Sequence, residues 1–300
     1  MAGAVQAPVR SERGMPAPPR PTEYHRRWLR PDRLLLYAVL TLITLFFVIP
    51  LFWMLSTAFK DELSIYTDPG FIPQHATLDN FKFVLTASGD TPVFRWLLNS
   101  IAVASVGTAL TLVLTSLSAY AFARMDFRFK NFLFSFLITT LLLPSVMFLV
   151  PQFVIIASIG LYNSLPAIML PALAGVFGVF FMRQFFLGIP IELEEAAYVD
   201  GASRLKIFWS VILPISLPAL ATLGVISFLT YWNDYLWPII VCQGSGCTLP
   251  PGLRNFQGQY SAKYGLMMAG ALLAAVPMIA VYIFAQRFII QSVTSSGIKG

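Results

Sequence analysis

The segment Glu194–Pro214, EEAAYVDGASRLKIFWSVILP, is polar at its start although strongly apolar runs lie on both sides of it. Just before it, Pro190 suits a first helical turn, where its missing N–H would be unpaired anyway, and the glutamates that follow favour the positive end of a helix dipole. Gly201 can adopt the left-handed geometry that ends a helix, and Ser203 can cap a second one. We name residues 194–214 the polar segment. It predicts a short helix, a glycine corner and a second helix that ends at Pro214.

The rest of the chain has the composition of a membrane protein, since 57% of its 300 residues are hydrophobic and only 11% are charged. Six apolar runs approach or exceed the roughly 20 residues that cross a bilayer as a helix. They lack the alternation of barrel strands, and only helices or closed barrels satisfy every backbone group in lipid. The runs are Leu34–Ala58, Leu97–Phe122, Phe132–Ile156, Leu165–Met182, Ala219–Val241 and Leu266–Ile290. We therefore expect an all-α integral membrane protein with six transmembrane helices.

Lys and Arg residues predict the orientation of these spans. Six spans place both termini on one side, and that side carries 15 of the 20 Lys and Arg residues. Because cytoplasmic loops are enriched in these residues, both termini are predicted to be cytoplasmic. Residues 1–33 hold seven Arg, six Pro and almost no large aliphatic residues, which predicts a disordered cytoplasmic tail ahead of a membrane domain at residues 34–300.

The chain offers little reactive chemistry for an enzyme. Its two histidines, His25 and His75, have no partner at metal-ligand spacing, and no metal site is predicted. No H-E-x-x-H, G-x-S-x-G or phosphate-binding G-x-x-x-x-G-K-S/T motif occurs in the sequence. If the protein takes part in energised work, another chain must hydrolyse the nucleotide.

The two cysteines, Cys242 and Cys247, stand at the end of the fifth apolar run in VCQGSGC. An oxidising compartment would favour a disulfide, and Gly244 and Gly246 would let so short a loop close. Two unpaired thiols in a flexible loop are the alternative. A structural zinc site is excluded, because two thiolates are too few ligands.

The spacing within the polar segment has a specific pattern. From Glu195 it runs E-A-A, three residues, Gly201, nine residues, Val211, one residue, then Leu213 and Pro214. This pattern resembles the E-A-A-x3-G-x9-I-x-L-P signature of permease subunits in binding-protein-dependent, ATP-driven (ABC) importers, with Val211 in place of Ile as the one departure. The alternative, favoured by composition alone, is an amphipathic helix lying on the inner leaflet.

The resemblance implies a coupling loop at about residues 188–217, docked on a separate ATP-hydrolysing subunit that binds ATP and Mg²⁺. This chain itself would then need no cofactor. The residues implied in coupling are Glu194, Glu195, Ala196, Ala197, Asp200, Gly201, Leu213 and Pro214. The small alanines would let the partner approach closely, and the acidic side chains would make polar contacts with it.

Further stretches resemble the carbohydrate branch of this class, the maltose-type permeases, and the likeness covers roughly Leu34–Gly300. They include LLNSIAVA, SAYAFARMDFRFKN, YWNDYLWPII and TSSGIKG. The resemblance implies a multi-pass protein of the cell membrane that imports a sugar or oligosaccharide. Its implied partners are a second homologous permease, two cytoplasmic ATPase subunits and an extracytoplasmic sugar-binding protein. The alternatives are a permease for another solute, such as a polyol, glycerol phosphate or peptide, and, far less favoured, a membrane enzyme or channel.

Trp232, Asn233 and Asp234 are candidates for the substrate pathway. An ionisable residue at that depth of a span is a functional candidate by default, and aromatic faces beside polar groups suit sugar rings. The alternative is an interfacial aromatic belt, in which Asp234 reaches headgroups or water.

The last outer loop is rich in residues that hydrogen-bond and stack. The resemblance implies that it contacts the binding protein through Asn255, Gln257, Gln259 and Tyr260. Four prolines inside the predicted spans, Pro144, Pro151, Pro171 and Pro277, are expected to kink or break helices. Ala174 and Gly178, one turn apart, are expected to mark a helix contact with a second permease.

Overall fold

The computed structural model describes residues 31–86, 91–256 and 263–296, and every regular element in these ranges is helical. The chain divides into two units, Met1–Trp53 and Met54–Gly300. Helix α1, Pro31–Ala58, begins in the first unit and ends in the second. The other α-helices are α2 (Glu62–Thr67), α3 (Asp79–Thr86), α4 (Val93–Arg124), α5 (Lys130–Thr139), α6 (Leu149–Ser158), α7 (Leu165–Met169), α8 (Val176–Leu187), α9 (Glu192–Val199), α10 (Arg204–Ile207), α11 (Leu213–Ile215), α12 (Leu217–Asn233), α13 (Leu236–Val241), α14 (Leu249–Leu253) and α15 (Tyr264–Ser296).

Three stretches of helix in the described ranges are long and apolar enough to cross a membrane, Leu34–Ala58, Val93–Arg124 and Tyr264–Phe284. Three bent pairs raise the number of candidate spans to six. These pairs are Lys130–Leu142 with Ser145–Ser158, Leu165–Ala174 with Val176–Leu187, and Arg204–Ile215 with Leu217–Asn233. The prediction of an all-helical protein with several apolar spans is confirmed.

The prolines act differently from one another. Pro144 stands at the break between α5 and α6, where the chain turns by 101°. Pro171 lies in a 3₁₀ turn, Leu170–Ala174, which precedes a 45° bend. Pro151 sits in the first turn of α6, where a missing N–H does little harm. Helix α15 continues through Pro277, so the expected break does not occur there.

The second unit contains two apolar clusters. The first core cluster surrounds Trp96, Trp232 and Val241, and the second surrounds Met182, Phe208 and nearby apolar residues. Helix α4 runs through both clusters and packs against α8 and α12. The two clusters support the two ends of α4.

Gly178 makes its close contact within the chain. A Cβ added to it would lie 2.9 Å from Cγ2 of Thr115 on α4 and 3.3 Å from Cδ2 of Leu223 on α12. Gly178 is therefore buried within the chain, where the missing side chain lets α8 lie close to α4 and α12, and the expectation that it contacts a second permease is wrong. Ala174 is exposed, so a contact there with a second permease stays a prediction.

Candidate functional site: the polar segment and the cleft at the α12–α13 break

The polar segment folds as a helix, a corner and a second helix. Helix α9 starts with acidic residues in its first turn, and Gly201 follows it with a φ of 80°. The Oγ of Ser203 then accepts a hydrogen bond from the backbone N–H of Lys206 and caps α10. This arrangement is the one that the caps and the glycine predict.

The end of the polar segment forms a wide turn. Residues Phe208–Ile212 are π-helical, and such single turns occur often at functional sites. Pro214 has no N–H to continue a regular hydrogen-bond ladder. Leu213 is half-buried against the second core cluster, whereas Pro214 is exposed. These two residues lie just before the 80° bend between Arg204–Ile215 and Leu217–Asn233.

One face of α9 is open and the other is occupied. Glu195, Ala196 and Asp200 are exposed, and Val199 keeps 88% of its surface exposed. Ala197 is half-buried and packs against the second core cluster. A partner can therefore approach Ala196 directly, while Ala197 contacts the protein's own core.

Glu194 points inward, unlike its neighbour Glu195. Its Oε1 lies 2.7 Å from Nε of Arg124, and the hydroxyl of Tyr120 donates a hydrogen bond of 3.0 Å to its Oε2. Only 6% of the Glu194 side chain and 9% of the Arg124 side chain is exposed. Glu194 thus attaches α9 to the end of α4, and its carboxylate does not face a partner.

A cleft of 420 Å³ opens where α12 ends and α13 begins. Asp234 joins the two helices in an extended conformation, with φ −65° and ψ 124°. The polar side chains that line the cleft are Ser145, Gln152, Thr230, Asn233 and Asp234. Trp237 supplies an aromatic wall, and its indole N–H donates a hydrogen bond of 2.9 Å to the carbonyl of Ala167.

Trp232 does not line this cleft. It is 3% exposed, and its ring stacks on Phe228 at 5.7 Å within the first core cluster. Helical periodicity explains the difference, since adjacent residues on a helix point to different faces. The structure thus brings Asn233 and Asp234 to the cleft and gives Trp232 a packing role.

The two cysteines form a disulfide, with their Cα atoms 5.2 Å apart. The amide of Asn99 donates hydrogen bonds to the carbonyls of Ser245 (2.9 Å) and Cys247 (2.8 Å), which fastens the cysteine loop to α4. Further along the chain, Asn255 is exposed. Gln257, Gln259 and Tyr260 lie outside the residues that the structure describes.

Comparison with known proteins identifies the class. Residues 111–294 match the family described as binding-protein-dependent transport system inner membrane component. The chain belongs to this family. It is therefore a permease of the inner membrane, and the relatives found are transport permeases and not enzymes.

Several curated permeases resemble this chain over most of their length. An arabinooligosaccharides transport system permease protein of Halalkalibacterium halodurans is 36% identical over 77% of this chain and 82% of its own. A lactose transport system permease protein of Rhizobium radiobacter is 32% identical over 87% of this chain and 94% of its own. A trehalose transport system permease protein of Mycobacterium tuberculosis is 32% identical over 88% and 97%.

A solved structure shares the fold. A chain of a bacterial ABC transporter involved in the import of the acidic polysaccharide alginate has a TM-score of 0.76 and 20% identity, over 90% of this chain and 99% of that one. The permease fold therefore extends over nearly the whole of both chains.

Sequence reasoning missed three residues of the permease that matter at these sites. Arg124 and Tyr120 hold Glu194, and Gln152 lines the cleft. Arg124 had a detectable signal, because it ends an apolar run and a cation there needs a partner. Gln152 could also have been predicted from the sequence, since it is a polar residue beside Pro151 within an otherwise apolar run.

Proposed function

We propose that this permease imports an uncharged sugar or oligosaccharide through a pathway that includes the cleft at the α12–α13 break. The observation that carries the proposal is the lining of the cleft, where a carboxylate, two amides and two hydroxyls lie beside the aromatic side chain of Trp237. Sugar rings present hydroxyl edges to polar groups and apolar faces to aromatic rings. The names of the arabinooligosaccharide, lactose and trehalose permeases support the same substrate class.

The charge of the cleft favours an uncharged solute. Asp234 is the one charged side chain among its lining residues, which include no Lys or Arg. A carboxylate in a partly desolvated cleft repels an anionic solute such as glycerol phosphate. Its oxygens accept hydrogen bonds from sugar hydroxyls.

The exposed face of α9 is the proposed docking surface for the ATPase subunit. Glu195 and Asp200 offer carboxylates, Ala196 permits close approach, and Gly201 fixes the direction in which the chain leaves the helix. Val199 supports this role, because its apolar side chain is exposed and its removal from water by a bound partner would be favourable. Leu213 and Pro214 connect this surface to α12.

The proposed assembly follows from the orientation that the Lys and Arg residues predict, with both termini in the cytoplasm. The termini and the polar segment lie in the cytoplasm, and the membrane domain begins with α1 at Pro31, slightly earlier than the composition predicted, behind an N-terminal tail. A second homologous permease and two ATPase subunits, which bind ATP and Mg²⁺, complete the membrane complex. On the opposite side, a sugar-binding protein docks on the loop that carries Asn255, Gln257, Gln259 and Tyr260.

The test is uptake by the reconstituted complex in proteoliposomes, with labelled arabinotriose, lactose, trehalose, glycerol phosphate and a peptide. We expect ATP-dependent uptake of a saccharide. Asp234→Asn should lower this uptake while complex assembly stays normal. Asp126→Asn, which alters an exposed carboxylate that does not line the cleft, is the control and should transport normally.

Two outcomes contradict the proposal. Uptake of glycerol phosphate or of the peptide, with no saccharide transported, excludes the sugar class. Loss of assembled complex in proportion to uptake in Asp234→Asn assigns Asp234 to packing or to the membrane interface and removes it from the pathway.

A further inference from the structure

Arg124 connects three elements of the permease at one point. It is the last residue of α4, and its Nε faces the Glu194 carboxylate at the start of α9. Its Nη2 donates hydrogen bonds to the carbonyl of Phe186, in the last turn of α8, at 2.8 Å, and to the carbonyl of Ile189, just after that helix. One planar guanidinium therefore joins α4, α8 and α9, a geometry for which Arg is suited and Lys is not.

The charges of Arg124 and Glu194 each lie at a helix end whose dipole favours a charge of that sign. Arg124 lies at the carbonyl end of α8, where the helix dipole favours a cation, and Glu194 lies in the first turn of α9, where it favours an anion. Tyr120, one turn before Arg124 on α4, donates to the second carboxylate oxygen of Glu194. The Tyr120 ring also lies 5.2 Å from the ring of Phe208, in the π-helical turn of the polar segment.

A buried ion pair of this kind adds little net stability to a fold. Apolar residues in place of such a pair often leave stability unchanged, because the desolvation of both charges offsets their attraction. Glu194 and Arg124 instead hold α9 at one angle to α4. The opposite face of α9, at Glu195 and Ala196, is exposed.

We propose that Glu194, Arg124 and Tyr120 form an anchor through which α9, α4 and the end of α8 move as one body when the partner ATPase moves α9. The proposal rests on the proposed docking of α9. Glu194 is thus a positioning residue, which acts through Arg124 and not by contact with the ATPase.

The test compares Glu194→Gln with Glu192→Gln in the complete complex. Both remove one acidic charge from the first turn of α9, but Glu192 is exposed and makes no part of the anchor. In Glu194→Gln we expect normal ATPase copurification and stimulated hydrolysis, with saccharide uptake per ATP lowered about fivefold or more, the range of typical coupling between sites. Tyr120→Phe, which keeps the ring packing, should lower the same ratio less. Glu192→Gln should match the wild type.

A spectroscopic readout separates movement from folding. Spin labels at the exposed positions Leu193→Cys on α9, which is not among the proposed docking residues, and Val106→Cys on α4, with both native cysteines replaced by Ser, report the distance between the two helices. An ATP analogue should leave this distance unchanged with the anchor intact and change it in Glu194→Gln. A distance that changes equally in both backgrounds overturns the anchor.

The remaining outcomes are distinct. Unchanged uptake per ATP in both Glu194→Gln and Tyr120→Phe overturns the anchor, as does a loss of uptake in proportion to assembled complex. Ala196→Trp, which fills the exposed face of α9, tests the docking on which the anchor rests. Normal ATPase binding in Ala196→Trp means that the proposed docking is wrong, whereas impaired binding with a silent Glu194→Gln rejects the anchor alone.

Discussion

Gly201 shows how a single residue sets the direction of the polar segment. Its φ is 80°, and a Cβ added there would meet no atom within 4 Å. A Cβ at this position therefore costs backbone strain and no steric clash. Left-handed geometry costs most residues about 1 to 2 kcal/mol, and Asn tolerates it better.

We predict that Gly201→Val lowers copurification of the ATPase subunit, because the strained corner shifts and turns Glu195 and Asp200 away from their positions. Gly201→Asn is the matched control and should bind the ATPase almost normally. Both variants should insert at wild-type levels, since Gly201 lies outside the spans. Equal copurification with Gly201→Val and wild type would show that the corner geometry does not affect docking.

Gly107 on α4 is needed for a different reason, which is space. A Cβ there would lie 2.8 Å from the Tyr231 ring, whose hydroxyl is hydrogen-bonded to Thr111 at 3.0 Å. We predict that Gly107→Ala lowers the melting temperature of the purified permease, since overpacking typically costs about 1 to 3 kcal/mol. Gly224→Ala is the control, because its added methyl would approach only Leu112, at 3.4 Å. Equal melting temperatures in the two variants would contradict the prediction.

Residue identity alone predicted some of these roles and not others. The left-handed corner at Gly201 was predictable, because few other residues adopt that geometry. Glu194 and Glu195 were not distinguishable, since both favour the first turn of a helix and both carry the same charge. Only the tertiary contact with Arg124 shows that one points inward and the other outward. Trp232 and Asp234 were predicted to share one site because they are near neighbours in an aromatic stretch, and the sequence does not show that their side chains point in different directions.

At the scale of elements, hydropathy predicted which stretches could reach across a membrane but not how they bend. The third apolar run, Phe132–Ile156, is long enough for one span, yet it forms α5 and α6 with a 101° turn between them. Pro144 marks the break, whereas Pro151 and Pro277 lie within helices. Pro151 lies in the first turn of its helix, where a missing N–H costs little, but Pro277 lies in the interior of α15 and the helix continues through it. The presence of a proline in an apolar run therefore does not by itself predict a break.

The two alanines of helix α9 lead to a prediction about ATPase docking. The E-A-A spacing predicts the same docking role for Ala196 and Ala197, but in the structure Ala197 packs against the second core cluster and Ala196 is exposed. We predict that Ala196→Trp weakens ATPase binding, because overfilling a close contact costs about 1 to 3 kcal/mol and each 1.4 kcal/mol changes association roughly tenfold. Titration of the ATPase subunit onto the purified permease measures this change.

The control for Ala196→Trp is the same substitution at Ala76, an exposed alanine in the loop between α2 and α3. Ala76→Trp should bind the ATPase with wild-type affinity, and neither variant should change the melting temperature of the permease alone. If Ala196→Trp binds as tightly as Ala76→Trp, α9 is an interfacial helix and not a docking element.

At the scale of the whole molecule, the orientation depends on a charge asymmetry that no single helix carries. Of the 20 Lys and Arg residues, 15 fall on the side that holds both termini when the chain crosses the membrane six times. Cytoplasmic loops retain these residues because their translocation is disfavoured. The orientation that this asymmetry predicts would place the polar segment on the side of a cytoplasmic ATPase and the cysteine loop in an oxidising compartment.

We therefore predict opposite labelling of two single cysteines in intact cells, after Cys242 and Cys247 are replaced by Ser. An impermeant maleimide should label His75→Cys, which is exposed in the loop between α2 and α3, and should leave Ser11→Cys unlabelled until the cells are opened. Labelling of both positions after cell lysis is the control for reactivity. Strong labelling of Ser11→Cys in intact cells would invert the orientation, and with it the polar segment would lie on the side of the membrane that holds no ATP.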